Sequence, residues 1–468
     1  MQLSLSTDSA MPLVEQIVGG VRAQIEDRLL RPGSRLPAIR RFAQTHGVSA
    51  FTVVEAYDRL VAQGYLQSRR GAGFFVAQRE AAVPTALPAG QRQHAIDVAW
   101  LMRRALNQPP GMLAASVGWL PPGWLDGEAV SRAVRQLTRG DDNGVRFGCY
   151  GEPNGYRPLR EQLRVMLAAQ SIEAHPDQIV LTQGATQALD IIARHFIRPG
   201  DTVLVDDPGY FNMFGALRLL GANLVGVPRL DDGPDTAALE ALAEQHRPRL
   251  FITHSVMHNP TGCNLSPATA YRVLQIAERF DFTLVEDDTY GDLYAGQATR
   301  LASLDQLRRV IFVGSFSKTL SSNLRVGYLA CRPDLAGELS DVKLLTSVGT
   351  SEFAEQVIHR LLSDGHYRKH IERLQSRLGE QCTRTARMLE SAGLSFHYPE
   401  GGVFIWARVP DSEDATPLSE AAERSNILLA PGKIFRPQMQ ASPYLRINVA
   451  YANDVRLGRF LREYLRNQ

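Results

Sequence analysis

The sequence is poor in lysine. Of its 51 lysine and arginine residues only Lys318, Lys343, Lys369 and Lys433 are lysine, and none lies in residues 1–317. Arginine stays protonated and cannot act as an amine nucleophile, so any Schiff-base chemistry rests on these few positions. Cysteine is equally scarce. Cys149, Cys263, Cys331 and Cys382 are scattered, with no Cys-x-x-Cys spacing. That argues against a disulfide framework or a zinc site and suits reduced thiols; no metal is expected. No run approaches the ~18 uncharged apolar residues that span a bilayer. The opening Met1-Gln2-Leu3-Ser4 lacks the basic-then-apolar order of a secretion signal. The expected location is therefore cytoplasmic. Neither sign of charge dominates: the formal net charge is +2. No global field points to nucleic acid or membrane, so a polyanion must be met by a local patch.

What is present divides the chain. Its 468 residues leave room for two or three domains with large cores. Residues 12–76 read as one unit. Val14, Ile17, Val21, Ile25 and Leu29 recur at helical spacing, and Arg31-Pro32-Gly33 breaks that helix. Pro37 suits the first position of a second helix and Gly47 its stop. Ser49 can cap a third helix running through Ala62, with Val53, Tyr57 and Leu60 on its inner face. Tyr65 to Val76 then reads as a β-hairpin with an Arg69-Arg70-Gly71 tip. Residues 1–80 carry a modest excess of three positive charges. Residues 77–96 are rich in Ala, Pro and Gly without periodicity and read as a linker.

From about residue 178 strands and helices alternate. Strands are expected at 178–182, 202–206, 250–254, 283–286 and 310–314, with helices at 186–196, 236–245 and 266–280 between them. Such alternation predicts a mostly parallel sheet covered on both faces. After Cys331, long helical stretches and short strands near 403–407 and 444–449 suggest a smaller α+β lobe, about 331–468. Lys318 falls where the apolar run Val310-Ile311-Phe312-Val313 gives way to Ser315-Phe316-Ser317. Loops after the other strands bring Thr182-Gln183-Gly184-Ala185-Thr186, His258-Asn259-Pro260-Thr261-Gly262 and Glu286-Asp287-Asp288-Thr289-Tyr290. In an open α/β sheet, such strand ends are where ligands bind. Glu286, Asp288, His254 and His258 read as structural or core groups, and Lys343, Lys369 and Lys433 as solvated.

Two resemblances follow from these motifs. Leu36-Pro37-Ala38-Ile39-Arg40-Arg41, Gly47-Val48-Ser49, Thr52-Val53-Val54 and the Gly64 to Phe74 wing resemble the GntR family of winged helix-turn-helix regulators. The resemblance implies DNA contacts from Arg40, Ser49, Phe51, Thr52, Arg69, Arg70 and Gly71. Ala50 and Glu55 depart from it, because many relatives carry arginine there. The strand-end motifs resemble the class I aminotransferases of pyridoxal-enzyme fold type I, and imply pyridoxal 5'-phosphate as cofactor. Lys318 would bond its aldehyde and Asp287 would pair with the pyridine nitrogen. Tyr290 and Asn259 would meet the ring oxygen, and Tyr210 would stack on the ring. Ala185, Thr186, Ser315, Ser317 and Arg325 would hold the phosphate. Arg446 and Gly118 would bind a substrate carboxylate. Tyr150 would reach the phosphate of a neighbouring subunit, which implies a homodimer through the large domain.

Taken together, a winged helix (1–76), a linker (77–96) and an aminotransferase-like domain (97–468) resemble the MocR subfamily of regulators. The implied function is a promoter-binding transcriptional regulator that senses pyridoxal phosphate or its aldimine with a small amino compound. The alternative is a class I aminotransferase with an accessory winged helix. Many subfamily members place the phenol two residues after the first Asp of the carboxylate motif. Here it comes three after, at Tyr290, which is the spacing of working aminotransferases and leaves transamination open.

Overall fold

The computed structural model describes residues 3, 5–6, 11–26, 29–69, 72–77, 98–139, 149–398 and 401–466. The expectations for Arg70, Gly71 and nearly all of the linker lie outside the described residues. The chain forms two compact units, Met1–Gln93 and His94–Gln468.

In the first unit three helices, α1 (Leu13–Glu26), α2 (Ile39–His46) and α3 (Ala50–Ala62), precede the hairpin β1 (Leu66–Arg69) and β2 (Gly73–Val76). Ile17, Val21, Phe42, Val53, Tyr57 and Leu60 are completely buried and form the core. Gly47 ends α2 with φ +64°, a left-handed conformation that favours glycine. Ser49 caps α3: its Oγ accepts from the Thr52 N–H at 3.0 Å. The apolar spacing had carried α1 on to Leu29. The helix stops at Glu26 instead, Leu30 N–H bonds back to Gln24 O, and Leu29 is 74% exposed. Pro37 lies two residues ahead of α2, where its carbonyl accepts from the Tyr57 hydroxyl.

The second unit is built on an eight-stranded sheet. Its strands are β3 (Ile179–Thr182), β4 (Thr202–Asp207), β5 (Asn223–Leu230), β6 (Gly233–Pro234), β7 (Leu250–Thr253), β8 (Thr283–Asp287), β9 (Val310–Ser315) and β10 (Gly327–Ala330). The spatial order is β3-β10-β9-β8-β7-β4-β5-β6. Strands β9, β8, β7, β4 and β5 pair in parallel. Alternate residues of one strand enter opposite cores: Phe251 packs on one face, Leu250 and Ile252 on the other. This two-sided burial is why those strands read as continuous apolar runs. The sheet is nevertheless mixed, because β10 runs antiparallel to both β3 and β9. Four helices needed below are α4 (Val98–Leu106), α5 (Gly127–Arg139), α6 (Arg157–Ala169) and α7 (Gly184–Phe196).

The smaller lobe is an antiparallel sheet of β11 (Ser395–Phe396), β12 (Phe404–Arg408), β14 (Tyr444–Asn448) and β13 (Ala430–Pro431), packed on the helix His366–Ser391. It is not made only of residues after 331. Leu113, Ala115 and Leu120 join its core, and Leu113 bridges to Ile427. This segment carries Gly118 to the lobe boundary. No described helix is long and apolar enough to cross a membrane.

Candidate functional site

The C-terminal ends of the central strands open into a cleft. Lys318, Asp287, Tyr290, Asn259, Tyr210, Ala185, Thr186, Ser315, Ser317, Arg325, Arg446 and Gly118 all line it. Motifs spread over more than three hundred residues thus converge, because parallel strands bring their following loops to one edge.

Lys318 follows β9. Its amine has no hydrogen-bond or ion-pair partner among the described residues and lies 5.7 Å from the centre of the Tyr290 ring. Desolvation in the cleft, with repulsion from Arg446 and Arg325, lowers its pKa to about 8, against the opposing pull of Asp287. Asp287 ends β8 and is buried. Burial pushes its carboxyl up, but His254 and Thr289 outweigh that and hold it below the usual range. Thr289 donates N–H and hydroxyl to Oδ1, and His254 Nε2 lies 3.3 Å from Oδ2.

One end of the cleft is built for an anion. Helix α7 starts at Gly184, so the first N–H groups there lack intrahelical acceptors. Arg325, itself in a left-handed conformation at φ +53°, reaches Ser317 Oγ at 3.3 Å and Gln183 O at 2.9 Å. Gly184 has φ +74°, which favours glycine, and a Cβ there would stand 2.7 Å from the Arg325 guanidinium and push it aside. Ser315 and Ser317 hydrogen-bond each other at 3.1 Å beside it.

The other end holds Arg446 on β14. It is 3% exposed and donates to Asn259 Oδ1 at 2.7 Å and Ser116 O at 2.6 Å. The rings of Phe404 and Phe435 flank the guanidinium at 4.6 and 4.8 Å. Its Nε has no partner, and its hydrogen-bond acceptors among the described residues are neutral oxygens, not carboxylates. Burial lowers its pKa to about 10, partly opposed by Tyr290 and Tyr210, so it stays a cation at neutral pH. Tyr290 donates to Gly118 O at 2.8 Å.

Tyr150 is the expected site residue that the cleft does not gather; it is 86% exposed. His254, set aside as a turn or core residue, does line the cleft. The signal that could have found it is the one that found Asn259: a polar residue at or a few residues beyond the end of a buried strand. His258 is fully buried beneath, with Nε2 3.4 Å from Asp206. Although burial pushes the Asp206 carboxyl up, Arg229 and His258 hold it at about 2. Behind the cleft, Arg229 spans Asp206 Oδ2 and the carbonyl of His254, bracing the strand end.

Lys343 corrects another expectation. It is not solvated but completely buried, donating to Pro153 O at 2.8 Å and Thr350 Oγ1 at 3.2 Å. Thr350 in turn donates its hydroxyl to Glu355, whose other oxygen accepts from Tyr156 N–H. Together with Arg160, which binds Glu152 and the Gly155 carbonyl, this network pins residues 152–156. Lys343→Met would orphan the Pro153 carbonyl and take a donor from Thr350, which keeps its bond to Glu355. Chemical denaturation should show a loss of about 1–3 kcal/mol; unchanged stability would mean that the loop does not depend on the bracket.

On the first unit, Arg40, Ser49, Phe51 and Arg69 are exposed, and Thr52 is half-buried. Phe51 is 77% exposed on the first turn of α3, and Arg69 lies over the Phe75 ring at 4.6 Å. Glu55 is engaged by Arg59, which also binds Glu15.

Residues 123–463 match the family "Aminotransferase class I and II", well over half the chain. The chain belongs to that family. Residues 13–76 match "Bacterial regulatory proteins, gntR family". The probable rhizopine catabolism regulatory protein MocR of Rhizobium meliloti is 30% identical, covering 92% of this chain and 88% of that one. The 2-aminoadipate transaminase of Thermus thermophilus is 32% identical over 77% of this chain and 92% of its own. Among solved structures, the α-aminoadipate aminotransferase LysN of Thermus thermophilus, complexed with N-(5'-phosphopyridoxyl)-L-leucine, superposes with a TM-score of 0.72. It is 29% identical and covers 79% of this chain and 96% of that one. This member of the family is therefore a MocR-type regulator, a gntR-type domain fused to an aminotransferase-like domain. The cleft just described lies within its aminotransferase-like part.

Proposed function

We propose that the protein binds promoter DNA through its winged helix and reports on pyridoxal phosphate, or on an amino compound captured with it, in the cleft of the larger unit. The observation that carries this reading is the partnerless amine of Lys318, aimed into a cleft in a chain that also holds a gntR-type unit. The residues present fit the cofactor. A free amine shares the cleft with a carboxylate kept ionised, and Ala185, Thr186, Ser315, Ser317 and Arg325 form an anion cradle at one end. Bound there, the cofactor would supply an aldehyde that condenses with amines. Asp287 would hold a proton on the ring nitrogen, steadied by His254 and Thr289. The first turn of α7 with Ser315, Ser317 and Arg325 would hold the phosphate, and Tyr210 and Asn259 would position the ring. Arg446 and Gly118 would orient a ligand carboxylate, with Tyr290 beside them. Tyr150, exposed just ahead of the pinned residues 152–156, would complete the phosphate site of a second copy in a homodimer. Capture shifts the population of lobe arrangements by differential binding, which DNA affinity then reads.

The test is a DNA-binding assay on the region upstream of the protein's own gene, with and without pyridoxal phosphate and amino acids. Binding that changes with these ligands is expected. Arg40→Ala and Arg69→Ala should each weaken it and flatten its salt dependence by about one charge. Absence of binding in every condition would overturn the reading. Several relatives are transaminases. Many turnovers between an amino acid and a 2-oxo acid, without DNA binding, would assign the chain to that class instead.

A further inference from the structure

We infer that the captured compound is an α-amino acid with an uncharged, apolar side chain. This rests on the proposed capture of an amine at Lys318. The first observation concerns the carboxylate. Arg446 is a buried cation whose only partners are two neutral oxygens, and its Nε has none. Space is kept open in front of it. A Cβ on Gly118 would stand 3.3 Å from the Tyr290 hydroxyl and 4.0 Å from Arg446 Nη2. A ligand carboxylate relieves that guanidinium, whereas an amine without one leaves it desolvated and unpaired.

The second observation concerns the remaining wall. Beyond the groups delivered by the strand ends, the cleft is closed by Met102 and Ala105 of α4, by Trp119 and by Leu428. The polar backbone edge here is already engaged: the Trp119 carbonyl accepts from Asn448. The charges of the cleft are likewise committed. In the proposed complex the cofactor's phosphate takes Arg325 and its ring nitrogen takes Asp287, which Thr289 and His254 already hold, while Arg446 takes the ligand's own carboxylate. Among the described lining residues, no free charge of either sign remains for a ligand side chain. A second carboxylate, or a terminal ammonium, would lose water and gain no partner. An apolar side chain loses water against an apolar wall, which is favourable. The two effects have opposite signs, so discrimination does not depend on fine fit.

The experiment loads the full-length protein with pyridoxal phosphate and titrates it with leucine, methionine and phenylalanine. Parallel titrations use aspartate, glutamate, lysine and isoamylamine, which is leucine without its carboxylate. The readouts are the visible absorbance of the cofactor and the melting temperature. The three apolar amino acids should reach half-effect at concentrations at least about tenfold below the other four. Met102→Arg places a cation at the apolar wall and should move aspartate or glutamate ahead of leucine. If that variant fails to take up colour, the wild-type ranking decides alone. First rank for an acidic or basic amino acid or for isoamylamine, or no ranking at all, overturns the inference and leaves Lys318 capture standing. Failure of the wild type to take up the coloured cofactor overturns the capture reading, and this inference with it.

Discussion

Lys318→Ala protein is expected to take up no colour from pyridoxal phosphate and to give no borohydride-fixed adduct, whereas the wild type gives both. The expectation is total rather than partial because the cleft offers no substitute. Among the described lining residues Lys318 is the only lysine. Lys343 is buried elsewhere and held by two acceptors, Lys369 is exposed, and Lys433 is half-buried outside the cleft. The lowered pKa of about 8 sets the pH behaviour. A lysine attacks an aldehyde only as the neutral amine. At pH 7 the shift raises the neutral share roughly 300-fold over an ordinary lysine. The capture rate should therefore climb as pH rises towards about 8 and level off above it, instead of climbing on to the usual lysine range. The stability sign follows from the same group. The unfolded amine holds its proton to higher pH than the folded one, so the cofactor-free protein gains stability between about pH 8 and 10.5. A rate that keeps rising well past pH 9, or colour that survives in the alanine variant, would place the bond on another residue.

Much of this arrangement was legible because its physics is local. A strand buried on both faces must be an unbroken apolar run, so β4, β7, β8 and β9 announce themselves, and the residue just past each run is automatically a candidate. Lys318, Asp287 and Asn259 were found in the motifs at or a few residues beyond such strand ends. The same logic was available for His254, but histidine after a strand has too many ordinary uses to be singled out. Features that depend on distant partners were hidden. Strand β10 is four residues long, and its antiparallel direction is set by slotting between β3 and β9, which no local pattern encodes. Residues 113–120 belong to the smaller lobe only because residues 426–448 fold back on them. Lys343 looked solvated because a lysine is normally exposed. Its burial depends on a carbonyl 190 residues earlier. In the winged unit, helix starts and stops were readable from caps, as at Ser49 and Gly47. The end of α1 was not, since an apolar residue at the right spacing, Leu29, lies beyond the turn.

Arg446→Met should separate cofactor from ligand. The variant is expected to keep its colour while the concentration of amino acid needed to change it rises by roughly 10²- to 10⁴-fold, the loss of two charge-assisted hydrogen bonds at about 1.5–3 kcal/mol each. Three facts combine to give this size. The guanidinium remains protonated at pH 7 with its pKa near 10, so the full charge is present. It is 3% exposed between two phenylalanine rings, so water does little to screen it. It has no anion of its own among the described residues, so a ligand carboxylate need displace no competitor. Methionine fits the same apolar slot, which keeps packing loss small and leaves Asn259 and Ser116 as the main groups deprived of a donor. Arg446→Lys is the sharper control. It retains the charge but not the two-pronged geometry, so it should recover only part of the loss. Titration of all three proteins with one amino acid, followed by cofactor absorbance, gives the comparison. An unchanged midpoint in Arg446→Met would mean that the carboxylate is bound elsewhere, and the assignment of this end of the cleft would fall. A response to carboxylate-free amines that improves in the methionine variant would strengthen it, because the unpaired buried charge that excludes them would be gone.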